Sequence, residues 1–131
     1  MIEGGCLCGE IRYTVEGSIT DVSHCHCSMC RKAHGAAFAT FGTVGREHLT
    51  WQSGGKHMRE YRSSADLERV FCDLCGSTLL CRSSDEPNVE YMALGTVDGT
   101  FDCPPAYHIW VGSMAPWYSI TDDLPRFAEE D

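Results

Sequence analysis

The spacing of the cysteines constrains this chain more than any other feature of its sequence. Nine cysteines occur in 131 residues, and seven of them fall in three short units. The units are Cys6-Leu7-Cys8, Cys25-His26-Cys27-Ser28-Met29-Cys30 and Cys72-Asp73-Leu74-Cys75. Because the number is odd and residues 1–5 do not resemble an export signal, a disulfide scaffold is disfavoured. Such spacings are typical of metal sites, with reduced structural cysteines as the weaker alternative.

The first and third units together predict a closed structural site. Gly76 directly follows the third unit and can take the positive φ that closes a Cys-x-x-Cys-Gly turn. Cys6 and Cys8 are two residues apart, so at the edge of a strand their side chains would face the same side. Two ligands from each unit make the four that a tetrahedral structural zinc requires. Such a site would close a loop of about 65 residues, a strong constraint on a small domain.

The middle unit predicts a second metal site with an open position. Its three thiolates are those of Cys25, Cys27 and Cys30. Three protein ligands are what a catalytic zinc typically has, so that water or a substrate sulfur can bind. We expect Ser28 to cap a short helical turn over residues 29–34, whose N-terminal amides would stabilise the negative sulfurs. Arg31 and Lys32 would add positive charge beside them.

Two alternatives stay open for the middle unit. A fourth protein ligand would close the site, and the candidates are His24, His26, His34 and Cys103. Thiolate sites also bind iron or iron–sulfur clusters, although zinc is the stronger expectation. Outside the three units, Cys81 and Cys103 are interpreted as spectators, because Cys81 ends an apolar run and Cys103 precedes two prolines in a loop.

Short alternating runs predict a mainly β structure. Ile11, Tyr13 and Val15 alternate with polar residues before Gly17, as in a half-buried strand. Further strand-like runs cover residues 38–44, 58–62, 70–71, 77–82, 89–97 and 107–111, with turn residues between them. We expect a single domain over residues 1–131 with few short helices, and a turn or short helix at residues 123–130.

The charge distribution argues against nucleic acid and membranes as partners. The net charge is −9, and it arises almost entirely from residues 71–131, which hold two basic and eleven acidic residues. An acidic surface repels polyanions and anionic lipid. No apolar run approaches the roughly 20 residues that a membrane helix needs. We therefore expect a cytoplasmic protein.

These motifs resemble the glutathione-dependent formaldehyde-activating enzyme family, which includes centromere-protein-V-like proteins. The resemblance runs along nearly the whole chain, with the seven clustered cysteines in the family's order and spacing. Its segments are Gly5-Cys6-Leu7-Cys8-Gly9, His24-Cys25-His26-Cys27-Ser28-Met29-Cys30-Arg31-Lys32, Tyr61-Arg62-Ser63-Ser64, Arg69-Val70-Phe71-Cys72-Asp73-Leu74-Cys75-Gly76, Leu94-Gly95-Thr96-Val97-Asp98, His108-Ile109-Trp110-Val111 and Ala115-Pro116-Trp117.

The resemblance implies a β-tent zinc fold of short antiparallel sheets and two zinc ions per chain. It places the structural zinc on Cys6, Cys8, Cys72 and Cys75, and the catalytic zinc on Cys25, Cys27 and Cys30. It also implies a carbon–sulfur lyase that joins the thiol of glutathione to formaldehyde, giving S-hydroxymethylglutathione, and that catalyses the reverse step. The expected partners are thus a small-molecule thiol, with glutathione as the first candidate, and an aldehyde.

The surrounding residues suggest several accessory roles. His26, His34 and His108 are candidates for moving the proton, because histidine titrates near neutral pH. Arg31 and Lys32 could bind a substrate carboxylate or form an exposed basic turn. Trp51, Trp110 and Trp117 could line a pocket or belong to the core. A zinc-stabilised binding module without catalysis, or a thiol-based redox or metal-handling protein, is the alternative function.

Overall fold

The chain folds mainly into β-strands, as its alternating runs predict. We describe residues 1–130 in a computed structural model. A four-stranded sheet has the order β10-β1-β2-β5 and is antiparallel throughout. Its strands are β1 (Ile2–Gly5), β2 (Arg12–Val15), β5 (Leu49–Ser53) and β10 (Val97–Asp98).

A larger sheet of seven strands has the order β11-β3-β4-β9-β8-β7-β6. Only its β11–β3 pair is parallel, and the other neighbours are antiparallel. The strands are β3 (Thr20–Cys25), β4 (Ala39–Gly45), β6 (Met58–Arg62), β7 (Leu67–Cys72), β8 (Thr78–Ser83), β9 (Val89–Ala93) and β11 (Tyr107–Ile109). The α-helix α1 (Ser28–His34) links β3 to β4.

The main core forms where side chains of both sheets meet. Tyr13 and Val15 of β2 pack in one buried cluster with side chains from five strands of the larger sheet. Those five are Val22, Val44, Val70, Leu80 and Met92. Because neighbouring residues of a strand point to opposite faces, the residues beside these five lie on the other face of the larger sheet. That second face carries the site described below.

The predicted strands differ from the observed ones in instructive places. The run at residues 58–62 coincides with β6, whereas the run at 89–97 is broken by a 3₁₀ turn at Leu94–Thr96. The strands β1, β3 and β5 were not predicted. In β1 two glycines weaken the pattern, and β3 (Thr20–Cys25) has only one residue of high strand propensity and full burial, Val22.

The C-terminal segment forms no helix, contrary to the alternative of a short helix at residues 123–130. It runs instead along the free edge of β11. The amide of His108 donates to the carbonyl of Pro125 at 2.8 Å, and the amide of Phe127 donates to the carbonyl of His108 at 2.9 Å. Backbone pairing with β11 therefore satisfies this segment's polar groups. Within residues 1–130, no helix is long and apolar enough to cross a membrane.

Candidate functional site

The first and third cysteine units meet in space. The Sγ atoms of Cys6, Cys8, Cys72 and Cys75, the four-cysteine group, all lie within 4.8 Å of one another. The Cys6–Cys8 pair is 3.5 Å apart and the Cys8–Cys72 pair 3.9 Å. A tetrahedral zinc with Zn–S bonds of about 2.3 Å separates its sulfurs by about 3.8 Å. The donor set and its spacing therefore fit a closed tetrahedral metal site.

Two turns build the four-cysteine group. Cys72 ends β7, and Gly76 has φ +80° and donates its amide to the Cys72 carbonyl at 2.8 Å, as the Cys-x-x-Cys-Gly spacing predicts. The first unit differs from the expected strand edge, because Cys6 follows β1 and Cys8 lies in a turn. That turn is closed by the amide of Gly9, which donates to the Cys6 carbonyl at 3.1 Å. Since β1 and β7 belong to different sheets, the group joins them.

The middle unit forms a separate cluster. The Sγ atoms of Cys25, Cys27 and Cys30, the three-cysteine group, lie within 4.8 Å of one another, and Cys25 and Cys30 are 3.4 Å apart. Cys25 ends β3, and the other two lie at the start of α1. The helix cap was predicted wrongly: Cys27, not Ser28, is the N-cap, and its sulfur accepts the amide of Cys30 at 3.2 Å.

The three sulfurs share hydrogen bonds as well as position. Bonds from the Cys25 and Cys30 thiols hold the pKa of Cys27 well below its usual range. Hydrogen bonds to Cys27 and Cys30 raise the pKa of Cys25. The cluster thus concentrates negative charge on Cys27 at the helix start, where amides stabilise it. Three sulfurs of this kind could hold a thiolate-binding metal.

No fourth ligand completes this group within residues 1–130. His24, His26, His34 and Cys103 contribute no atom within 4.8 Å of all three sulfurs. His24 and His26 alternate with the cysteines, and their rings pack with Phe38 and His108. Nε2 of His26 is 2.9 Å from Nδ1 of His108, whose Nε2 is 3.1 Å from the Asp122 carboxylate.

A cavity of about 690 Å³ lies against the three-cysteine group. It covers the face of the larger sheet opposite the main core. Apolar walls come from Phe41, Ile109 and Trp110, and carboxylates come from Asp21, Asp66, Glu86 and Glu130. The site therefore combines three sulfurs, an apolar wall and an acidic surround in a space of small-molecule size.

The predicted proton carriers lie elsewhere. Of the residues described, the histidines are all absent from the cavity lining. Burial, together with the neighbouring His108 and His24, lowers the pKa of His26 to about 4, so its ring is neutral near pH 7. Burial also lowers the pKa of His34, assisted by the Arg69 charge.

Two of the three tryptophans take one of the expected roles each, and the third takes neither. Trp110 lines the cavity, and its backbone is left-handed with φ +57°. Trp51 packs on the core, with its ring 5.8 Å from that of Tyr13. Trp117 is exposed.

The cation nearest the sulfurs is one that sequence reasoning missed. Arg69, in β7, lines the cavity and points Nη2 at the Cys30 sulfur from 3.7 Å. Arg31 instead donates to the Ser113 carbonyl at 3.2 Å, and neither it nor Lys32 lines the cavity. No local pattern marks this residue, because Arg69 follows the charged Glu68 and precedes the short run of residues 70–71, and its burial depends on the packing of β7.

The two spectator cysteines have different surroundings. Cys81 is buried as predicted, but it also lines the cavity, and its sulfur accepts a hydrogen bond from Nη1 of Arg69 at 3.4 Å. Cys103 is half-buried and packs against the main core. Both are free thiols.

Comparison with known proteins identifies similar chains. The family model described as glutathione-dependent formaldehyde-activating enzyme matches residues 1–113, which include all nine cysteines. A Halomonas elongata protein provisionally named as such an enzyme is 26% identical over 127 residues, covering 92% of this chain and 81% of that protein.

Fungal relatives match a shorter stretch. An uncharacterized lyase of Schizosaccharomyces pombe is 34% identical over 77 residues, or 59% of this chain and 54% of its own length. A Podospora anserina protein, provisionally named as the same enzyme, is 35% identical over 85 residues, or 62% and 39%. This chain therefore spans about half or less of these fungal proteins.

A solved structure shares the fold. The crystal structure of a Rhodobacter sphaeroides protein superposes with a TM-score of 0.64 at 23% identity. The superposition covers 76% of this chain and 91% of that protein.

Proposed function

Because the chain belongs to the glutathione-dependent formaldehyde-activating enzyme family, we propose that it is a zinc-dependent carbon–sulfur lyase. The substrate would be a thiol–aldehyde adduct such as S-hydroxymethylglutathione. In the forward direction the thiol sulfur bonds to the aldehyde carbon, and the thiol's proton ends on the former carbonyl oxygen. Cleavage of the C–S bond is the reverse. The names of the Halomonas and Podospora relatives support this reaction class.

One observation carries the proposal: a three-cysteine group, with no fourth donor among residues 1–130, faces a cavity of about 690 Å³. Three donors leave a position for a substrate atom, as in catalytic zinc sites. A zinc held there would stabilise the thiolate form of a substrate thiol or polarise an aldehyde oxygen. The cavity holds the substrate beside the sulfurs, and its apolar wall limits competing water.

The proton transfer falls to the acidic side of the cavity or to water. The described lining offers carboxylates and hydroxyls but no histidine. Two carboxylates are already held by tyrosines: Asp21 accepts the Tyr107 hydroxyl at 2.7 Å, and Glu86 accepts the Tyr91 hydroxyl. A carboxylate held in this way is oriented for proton exchange with a nearby hydroxyl.

The remaining assignments complete the proposal. We assign a structural zinc to the four-cysteine group, whose spacing fits a tetrahedral ion, giving two zinc ions per chain. Residues 1–131 would form one domain. Nine thiols, all free within the described chain, suit the reducing cytoplasm.

The test combines metal content with turnover. Mass spectrometry of the native protein, expressed with ample zinc, should give two zinc ions per chain. Exchange NMR with ¹³C-formaldehyde and glutathione should then show faster interconversion with the adduct than the uncatalysed background. The Cys27→Ser variant serves as the matched control and should return the exchange to background. Two bound zinc ions without acceleration for any thiol tested would favour the non-catalytic binding module.

A further inference from the structure

The buried side chain of Arg69 has sulfur atoms among its hydrogen-bond partners. The residue is only 4% exposed, yet within residues 1–130 no carboxylate forms an ion pair with it. Its hydrogen-bond acceptors are Ser63 Oγ at 3.2 Å, Cys81 Sγ at 3.4 Å and Cys30 Sγ at 3.7 Å. Two of the three are sulfurs, and one of those belongs to the three-cysteine group.

A guanidinium in this position needs negative charge beside it. Arginine stays protonated in proteins, and a buried charge without an opposite charge is strongly destabilising. Other arginines of the described chain are paired with carboxylates, for example Arg82 with Glu90 at 3.2 Å. For Arg69 the groups in contact that can become anionic are cysteine sulfurs.

We propose that Arg69 is a positioning residue that stabilises metal binding by the three-cysteine group. This inference rests on the metal site of the proposed function. Metal binding needs all three sulfurs as thiolates, including that of Cys30, which Nη2 of Arg69 contacts, and three thiolates with a divalent ion carry one net negative charge. A fixed cation beside Cys30 therefore favours the loaded state over the empty one. It also offsets a charge that the apolar wall of the cavity would otherwise leave uncompensated.

The hydrogen bonds of Arg69 also fix the orientation of its guanidinium group. Nε donates to Ser63, Nη1 to Cys81 and Nη2 to Cys30, so three separate donors hold the guanidinium plane. A lysine ammonium is a point charge and does not reproduce this fork. Cys81 thereby acquires a role as an anchor for Arg69, although it lies outside the three-cysteine group.

The experiment compares the zinc affinities of the two cysteine groups within one chain. Zinc affinity is measured by chelator competition for the full-length protein and for R69M and R69K. The three-cysteine group has one donor fewer and is expected to be the weaker site. We expect R69M to lower its affinity by about 10- to 100-fold, the usual effect of removing a group that orients a metal ligand. The four-cysteine group should keep its affinity. R69K, which retains the charge, should fall between R69M and the unchanged protein.

Thermal denaturation separates this role from a purely structural one. When the three-cysteine group is empty, its thiols can be protonated, so replacing the buried cation by an apolar side chain of similar length removes a desolvation cost and leaves no unpaired buried anion. R69M should therefore keep or raise the melting temperature while it loses metal affinity. The control is R62Q, which removes an exposed arginine of the neighbouring strand β6 and should change neither quantity.

Three results would overturn the inference. R69M could bind zinc at the weaker site as tightly as R62Q. Both sites could weaken together, or R69M and R69K could both fail to fold, either of which would make Arg69 a general structural residue. A different result, no second metal in the unchanged protein, would remove the proposed function itself.

Discussion

Cys27 has two roles: it is a member of the three-cysteine group and it is the N-cap of α1. Its sulfur accepts the Cys30 amide while lying within 4.8 Å of the other two sulfurs. A serine oxygen can take over the capping bond, since serine is among the preferred N-cap residues. A serine hydroxyl is a poor substitute for a thiolate ligand of zinc. The two roles can therefore be separated by one substitution.

We predict that Cys27→Ser abolishes turnover and leaves the fold intact. The cap survives, and Cys27 is not part of the main core. Cys72→Ser should instead unfold much of the protein, because Cys72 is fully buried beside Ile11 and Leu79 and belongs to the four-cysteine group. Melting curves and adduct exchange for both variants check this. Equal losses of melting temperature would contradict a catalytic role for the middle unit.

At the scale of single elements, neighbouring residues at the end of β3 point to opposite faces of the sheet. Cys25 lies towards the cavity, and the rings of His24 and His26 pack together with His108 instead. The link from Asp122 through His108 to His26 ties the C-terminal segment to this strand. Burial lowers the pKa values of both His24 and His26. These rings are thus neutral parts of the packed structure.

This packing predicts acid sensitivity. The pKa of His26 is about 4 in the folded protein, below the ordinary value of 6.5, so the unfolded chain binds more protons between these limits. The stabilising effect of the neutral ring is complete above pH 6.5 and is lost as the pH falls towards 4. The free energy of unfolding, measured by denaturant at pH 7 and pH 5, should fall less in His26→Asn than in the unchanged protein.

The control for that comparison is His48→Gln, which removes an exposed ring outside the cluster. It should keep the full decrease between the two pH values. Zinc content is measured for each protein at both pH values, because His26 lies between Cys25 and Cys27, and only samples of equal zinc content are compared. An identical decrease in His26→Asn and the unchanged protein would show that the buried ring does not set acid sensitivity.

Sequence patterns predicted the elements where hydrophobic alternation was regular. The alternation of Ile11, Tyr13 and Val15 became β2 as predicted, and the turn at Gly76 adopted the expected positive φ. β3 escaped prediction because its residues serve two different surroundings, one rich in sulfur and one rich in histidine. The pattern of polar and apolar side chains then no longer reports which face is buried.

At the scale of the whole molecule, the net charge is −9, and part of the acidic excess lies in the cavity lining. Asp21, Asp66, Glu86 and Glu130 line the cavity, while its arginine is engaged by sulfurs and Ser63. Glutathione carries two carboxylates and one ammonium. Such a ligand meets more repulsion in this cavity than a thiol that carries only an amine.

We predict that Asp21→Asn lowers the KM for the glutathione adduct by about two- to fivefold, as expected for one partly screened charge. Asparagine tolerates the left-handed backbone of Asp21, φ +51°, and its oxygen can still accept the Tyr107 hydroxyl. The KM for a cysteamine adduct should rise or stay constant. Glu47→Gln, an equal charge change outside the cavity lining, should leave both values unchanged. Equal KM values in all three proteins would contradict this account.

The sequence alone determined the three cysteine units, because successive sulfurs within a unit are held together by one or two intervening residues and a local turn. Gly76 and the capping bond of Cys27 show how short-range geometry suffices there. Only the tertiary structure decided what surrounds those sulfurs. The contact of Arg69 with Cys30 spans 39 residues, and that of Tyr107 with Asp21 spans 86. Such contacts depend on the order and register of strands across a sheet, and no local pattern encodes them.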